Sequence, residues 1–198
     1  MNRPFMFLLA IVALGAGAYF LFFKKEKEDR GPKDQPLVIS ENTSSFNSSY
    51  DKLLSAYFLL KDALVASDTL KANAAGIILV TAADSLKTDE IHGDTTGAIK
   101  ATAKDFAGTI VGSGKGLIGE KGIEAKRKEF EMITDALWSL TRTVKYAGKK
   151  IYYQYCPMAF DNKGAYWMSS AREIQNPYFG DKMLTCGSLE DSIDYSKK

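Results

Sequence analysis

The sequence predicts an all-α protein: an antiparallel four-helix bundle with an irregular C-terminal loop segment packed on it, preceded by one N-terminal transmembrane helix. Three observations predict this class. An uncharged apolar run opens the chain, four segments with apolar residues at helical spacing follow, and a stretch rich in Gly, Pro, Asn and Asp comes last. The expected parts are an anchor (1–23), a linker (24–47), a helical domain (48–190) with a Cys/Met motif (155–187), and a tail (191–198).

The apolar run at residues 5–23 contains no charge and would span about 28 Å as a helix, enough to cross a bilayer. A secretory signal has a shorter apolar core that is followed by a cleavage site of small residues. Here the small residues, at 16–18, lie inside the apolar run rather than after it. We therefore expect an uncleaved anchor, with a cleaved signal segment as the alternative. The positive-inside rule compares the numbers of Lys and Arg on the two sides of the anchor. Arg3 precedes the run and five Lys and Arg residues follow it within 24–33, which favours a cytoplasmic location for the C-terminal domain.

Charge and motifs exclude several function classes. The formal net charge is +2 and the charges alternate in sign, so no basic stripe indicates nucleic-acid binding. Residues 114–119 have the form G-x-G-x-x-G, but a helix-like segment precedes them and neither Ser nor Thr follows Lys115, so we expect no nucleotide site. With His92 as the one histidine, no H-E-x-x-H and no nucleophile elbow, we expect no enzyme.

The four helices are predicted from apolar spacing at about 48–66, 70–86, 95–111 and 120–147. Asp68 is placed to cap the second helix. The predicted core face of that helix consists of apolar side chains, namely Leu70, Ala74, Ile77, Ile78 and Ala82. The fourth helix repeats apolar residues every seven positions, at Ile123, Phe130, Leu137 and Val144, as in a bundle seam. Residues 111–119 are Gly-rich and are expected to form a flexible loop, whereas 151–155 read as a strand.

Both cysteines of the chain lie in residues 155–187, and each has a methionine close by. Cys156 is followed by Met158, and Met183 precedes Cys186. Thiolate and thioether sulfurs are soft ligands, and such ligands select copper(I) over hard cations. Aromatic residues of the same segment can form an apolar shell that controls solvent access to the ion.

The segment resembles the C-terminal signature of a bacterial family labelled a domain of unknown function, which is common in Bacteroidetes. The matching residues are Tyr155, Cys156, Pro157, Met158, Gly164, Trp167, Ser169, Ile174, Asn176, Pro177, Tyr178, Gly180, Met183, Cys186 and Gly187. The opening helix at 57–68 and His92 also match. This family occurs behind an N-terminal export segment or fused to periplasmic adaptor subunits of heavy-metal efflux pumps. The resemblance implies a periplasmic domain that handles copper or another heavy metal.

Carried over by that resemblance, the metal-ligand candidates are Cys156, Met158, Met183 and Cys186, with His92 as an outlying one. Each residue also has an ordinary structural interpretation. The cysteines form a disulfide or remain free structural thiols, the methionines fill the core, and His92 is an exposed or capping residue. The identity of the ion stays open among copper, silver and zinc.

The sequence therefore leads to two hypotheses. The first is a copper(I)-binding or chaperone-like module anchored in the inner membrane and facing the periplasm, which passes the ion to a metal-efflux or metalloenzyme-assembly protein. The second is a non-metal envelope adaptor in which a Cys156–Cys186 disulfide staples the C-terminal loop and aromatic side chains dock a protein partner.

Overall fold

The computed structural model describes residues 41–196. Its long helices are α1 (Ser44–Val65), α2 (Thr69–Asp84), α3 (Ala98–Gly119) and α4 (Ile123–Val144), and a four-residue helical turn lies at Ala159–Asn162. Its strands are β1 (Glu41–Asn42), β2 (Ile91–His92), β3 (Ile151–Cys156), β4 (Ala165–Ser169) and β5 (Ser188–Ile193). Short 3-10 turns lie at Thr88–Glu90 and Gly180–Lys182. The described part is mostly helical and carries a small antiparallel sheet.

The first two helices begin at side-chain caps. Thr43 Oγ1 accepts a hydrogen bond from Phe46 N at 3.0 Å, so α1 begins at Ser44, inside the stretch expected to be linker. Asp68 Oδ1 accepts one from Lys71 N at 2.9 Å, which confirms the predicted cap of α2.

Helices α1 and α4 pack antiparallel along a seam with a seven-residue repeat. Tyr50 lies 2.7 Å from Thr141 (Oη to Oγ1), and one repeat further along α1 Tyr57 lies 2.7 Å from Thr134. As α1 advances by seven residues, the contact on α4 moves back by seven, which requires opposite helix directions. The fourth-helix residues Phe130, Leu137 and Val144 are buried beside this seam, as the sequence predicted.

Helix α3 continues to Gly119, so the expected flexible loop at residues 111–119 is wrong. Its glycines permit close packing instead. A Cβ on Gly114 would lie 2.6 Å from Val80 Cγ2 of α2, and one on Gly116 would lie 2.9 Å from the Glu129 carboxyl carbon of α4. The close approach of neighbouring helices therefore outweighs the low helix propensity of glycine here.

The predicted core face of α2 is also wrong. Leu70 is 80% exposed, and Ile77 and Ile78 are each more than half exposed. The face that packs on the bundle is made of small residues and one leucine, namely Ala72, Ala75, Gly76, Leu79, Ala82 and Ala83. Of the five residues predicted for the core face of α2, Ala82 alone is buried. Small side chains let α2 approach α3 closely, because a Cβ on Gly76 would already lie 3.1 Å from Ile118.

The C-terminal segment is more regular than expected. Strand β3, predicted at 151–155, is confirmed and lies between β4 and β5 in an antiparallel sheet of order β4-β3-β5. The fold is therefore not all-α, and β5 crosses the expected boundary between domain and tail at residue 190. Strands β4 and β5 are stabilised by pairing with β3, and the periodicity of a short stretch of sequence does not predict such pairing.

No helix within residues 41–196 is long and apolar enough to cross a membrane. The predicted anchor at 1–23 and most of the predicted linker lie outside the described residues.

Candidate functional site

Strand β3 places Cys156 on the sheet face that the C-terminal loop covers. Cys156 is paired with Ala165 and Gln154 with Trp167, and the alternation of side chains puts all four on one face. Gln154 Nε2 donates to the carbonyls of the loop at Ala171, Arg172 and Glu173, at 3.0–3.3 Å. The loop is thereby held over Cys156, which is fully buried.

Asn176 positions the turn that carries the second cysteine. Its Nδ2 donates to the carbonyl of Cys186 at 2.7 Å, and its Oδ1 accepts from Tyr178 N at 2.8 Å. Its own backbone N donates to the carbonyl of Leu184 at 2.8 Å. Because Asn176 is fully buried, these bonds join residues 176–178 to the turn that contains Leu184 and Cys186.

The two sulfurs meet at the end of β3, the central strand of the sheet. Cys156 Sγ and Cys186 Sγ are 3.5 Å apart, both cysteines are free thiols, and Cys186 is partly exposed. Desolvation raises the pKa of the Cys186 thiol, and the hydrogen bond and charge of Cys156 raise it further. A thiol with a raised pKa stays protonated at neutral pH, so an electrophilic metal ion must displace its proton.

Glycines let the backbone close around this pair. Gly187 has a φ of +146°, and a Cβ there would lie 2.7 Å from Tyr155 O and 2.8 Å from Trp167 Cη2. Gly164 has a φ of +80°, and a Cβ there would lie within 2.0 Å of Tyr155 Oη. Trp167, which is fully buried, therefore forms the wall next to the Cys186 turn.

Arg127 links this corner to the helices. From α4 its Nε donates to the carbonyl of Pro177 at 2.8 Å, and its Nη2 donates to the carbonyl of Leu64 at 3.2 Å and to Ser67 Oγ at 3.0 Å. Its Nη1 forms an ion pair with Glu124 at 2.7 Å. One buried guanidinium thus joins the end of α1, the start of α4 and the loop that carries Asn176.

The structure brings some of the predicted ligands together. Met183 and Cys186 belong to one turn, because Cys186 N donates to the carbonyl of Met183 at 3.1 Å. Met158 follows Cys156 by two residues and is 45% exposed. Three consecutive left-handed residues, Phe160, Asp161 and Asn162, follow it and turn the chain back toward β4.

His92 is not brought to the cysteine pair. It is exposed in β2 and pairs with Glu41, while the neighbouring Asn42 donates to the carbonyl of Val144 at the end of α4. The loop that carries Cys186 is tied to Arg127, near the other end of α4, about 25 Å along the helix. Within residues 41–196 no group of three or more His, Cys, Asp or Glu side chains could hold a metal ion.

Sequence reasoning did not assign roles to the residues that shape the site. Asn176, Gly164 and Gly187 match only as parts of the signature, whereas Trp167 is one of the aromatic residues expected to form the apolar shell. Arg127 was not singled out, since an Arg next to Lys126 and Lys128 reads as a solvated helix face. Its burial depends on the loop that packs over it, which no local pattern reveals.

The fold and the site define a helical domain in which a small sheet and its covering loop hold a pair of thiols. Residues 53–148 match a family model described as Protein of unknown function (DUF3347), which supports the expected resemblance to a family of unknown function. The match covers most of α1 and all of α2, α3 and α4, and it ends before the strand that carries Cys156. No curated protein and no solved structure matches the chain.

Proposed function

We propose that this domain binds copper(I) through Cys156 and Cys186, with Met183 as a third donor. The observation that carries the proposal is the 3.5 Å separation between two free thiol sulfurs. Metal–sulfur bonds are about 2.3 Å long, so two sulfurs at this separation can share one ion. Two thiolates and a thioether form a soft donor set, which favours copper(I).

The surroundings of the pair support a site that restricts solvent access. Cys156 is fully buried, Trp167 forms the wall beside Gly187, and the ring of Tyr178 packs edge-on against Trp167 with centroids 6.1 Å apart. Apolar walls of this kind protect a soft ion from water and influence its redox behaviour. Cys186 is partly exposed, which leaves a route by which a partner could deliver or remove the ion.

In this proposal the domain is a chaperone-like module on the periplasmic side of the inner membrane. The apolar run at 5–23 would anchor it, and a metal-efflux or metalloenzyme-assembly protein would exchange the ion. The periplasmic orientation and the efflux partner rest on the family resemblance. Met158 and His92 are not assigned to the site, because Met158 is 45% exposed and His92 lies near the opposite end of α4.

The same sulfur separation favours a second candidate, an envelope adaptor in which the two cysteines form a structural disulfide. A disulfide requires the sulfurs to approach to about 2.05 Å, a movement that side-chain rotation can provide. Tyr153 stacks on the buried Trp138 of α4, and Tyr166, which is 37% exposed, stacks on Tyr153. Tyr153 and Tyr166 would then contribute to a protein-docking face.

Anaerobic titration of the reduced compact unit Leu37–Lys198 with copper(I) against a competing chelator tests the first proposal. We expect one ion per chain. Cys156→Ser and Cys186→Ser should abolish binding, and Met183→Leu should weaken it by about tenfold or more. Affinity should fall as pH is lowered, because protons compete for the thiolates.

Met158→Leu is the matched control, since it removes a thioether of the same chemistry from outside the proposed donor set. If the chelator removes copper from Met158→Leu but not from Met183→Leu, the assignment of Met183 as the third ligand is wrong. Thiol counting before reduction separates the two candidates. No titratable thiol in freshly isolated protein, together with no copper uptake after reduction, would favour the adaptor.

A further inference from the structure

Helix α2 lacks the charged, solvent-facing side that a surface helix normally has. Between Lys71 and Asp84 it contains no charged residue, and its outward side carries Leu70, Ile77 and Ile78. A helix that is apolar on all sides is normally covered on all sides. Its inward side packs on the bundle, so the outward side is left without a partner within residues 41–196.

The outward side forms one wall of a groove whose other wall is α1. The groove has a volume of about 750 Å³, and Leu59, Ile77 and Ile78 line it, each more than half exposed. A second depression of about 380 Å³ shares Leu59 and Ile78 and continues the groove toward Lys71. The two together run along both helices.

Three charged side chains of α1 line the two depressions, together with Lys71 and Lys87. Of the three, Asp51 accepts a hydrogen bond from Tyr146, and Asp62 forms an ion pair with Lys61 of its own chain at 2.8 Å. Lys52 lines the first depression and Asp62 lines the second, and the exposed Leu59 lies between them. They are ten residues apart, about 15 Å along the helix. A second α1 laid antiparallel across the first, with a two-fold axis near residue 57, would set Lys52 of each copy against Asp62 of the other.

We infer that the occupant of this groove is a second copy of the chain, packed by α1 and α2 about a two-fold axis. An isologous interface needs one surface that provides both the protruding row and the groove that receives it. This face has both: Ile77 and Ile78 protrude beside a groove with Leu59 at its centre. The charges on α1 set the antiparallel orientation.

The size of the face agrees with a reversible dimer. Helix α1 is about 33 Å long and α2 about 24 Å, and two adjacent helices are about 20 Å wide, so the face offers about 600 Å² per copy. A total near 1,200 Å² lies at the lower end of specific interfaces. Burial of the isoleucines supplies most of the driving force, because exposed ion pairs contribute little.

Carbodiimide cross-linking of the full chain in a mild nonionic detergent tests this inference. The reagent joins an amine directly to a carboxylate in contact with it, and Lys52 and Asp62 of one chain are too far apart on one helix to react. We expect a dimer-sized product that contains a Lys52–Asp62 peptide, at protein concentrations up to about 100 µM.

Ile78→Glu should reduce that product at least tenfold, since it places a carboxylate at the centre of the apolar contact. Met132→Glu is the matched control, because Met132 is similarly exposed but lies on α4, and it should leave the product unchanged. Thermal unfolding confirms that both variants fold. The inference is overturned if no Lys52–Asp62 peptide forms, or if the product is equally abundant in Ile78→Glu.

Discussion

Single residues place the thiols by constraining the backbone. Asn176 holds the Cys186 turn by two hydrogen bonds, to the carbonyls of Leu184 and Cys186, and Gly187 lets that turn pass close to Tyr155 and Trp167. Neither Asn176 nor Gly187 is a soft metal ligand. The geometry of the pair therefore depends on residues whose loss would leave both cysteines present but separated.

Gly187→Ala should lower both stability and copper(I) affinity. The left-handed φ of +146° disfavours alanine, and the added Cβ would lie 2.7 Å from Tyr155 O. Because that oxygen belongs to the backbone, the clash is relieved only if the chain itself shifts. We expect the free energy of unfolding to fall by about 1–3 kcal/mol, measured by urea denaturation. Gly112→Ala is the control, because position 112 is exposed on α3 and a Cβ there meets no atom within 4 Å. This variant should leave the free energy of unfolding unchanged or raise it by up to about 1 kcal/mol. Equal destabilisation by both variants would contradict this account.

At the scale of elements, the loop and the helices are joined mainly by buried polar side chains. Arg127 binds carbonyls of the loop and of α1, and Lys126 donates from its buried Nζ to the carbonyls of Leu117 and Glu120 at the end of α3. The carbonyls of Leu64 and Leu117 lie in the last turns of α1 and α3, where their backbone bonds come from Ser67 N and Glu120 N, three residues on, at 3.1 and 3.3 Å. The start of α4 therefore serves as the joint at which three elements are fixed.

Arg127→Met should loosen that joint. It leaves the Pro177 carbonyl without its donor and removes one of the two donors of the Leu64 carbonyl, which keeps its bond from Ser67 N. We therefore expect the free energy of unfolding to fall by about 2–3 kcal/mol in urea denaturation. The loop should also open more often, which would speed the reaction of Cys156 with a thiol reagent. Lys128→Met, one residue away and exposed, should change neither quantity. If Cys156 reacts at the same rate in both variants, Arg127 does not secure the loop.

For the whole molecule, the core contains hydroxyl groups as well as apolar side chains. Tyr50, Tyr57 and Tyr178 are buried, and desolvation raises the pKa of each phenol well above its usual value near 10. Tyr57 accepts a hydrogen bond from Met168 N at 3.0 Å while sharing one with Thr134, so it connects α1, α4 and β4. The core is thus tied to the sheet by a group that must stay protonated.

Stability should therefore fall as pH rises above about 10. Below that pH the phenols are protonated in both states and their contribution is complete; above it the unfolded chain loses protons that the folded chain keeps. Each fully buried tyrosine should lower the free energy of unfolding by about 1.4 kcal/mol between pH 9 and pH 11. Urea denaturation at several pH values measures this.

Tyr57→Phe isolates the effect, since its stability should fall less steeply with pH than that of the parent chain. The lowered pKa of Lys126, caused by desolvation, acts in the opposite direction because the unfolded lysine holds its proton up to about pH 10.5. That contribution is common to both chains and cancels in the comparison. Parallel curves for the two chains would show that Tyr57 does not govern the alkaline loss.

The sequence by itself determined the helical character, the cap at Asp68, the seam of α4 and the strand at 151–155, because each depends on neighbours within a few residues. It also drew attention to Cys156, Cys186 and their neighbouring methionines through their chemistry. Only the tertiary structure decided which face of α2 is outward, that α3 continues through its glycines, and that β4 and β5 complete a sheet. These outcomes depend on contacts between residues far apart in the chain. For the same reason only the fold could set the sulfurs 3.5 Å apart and leave His92 near the other end of α4.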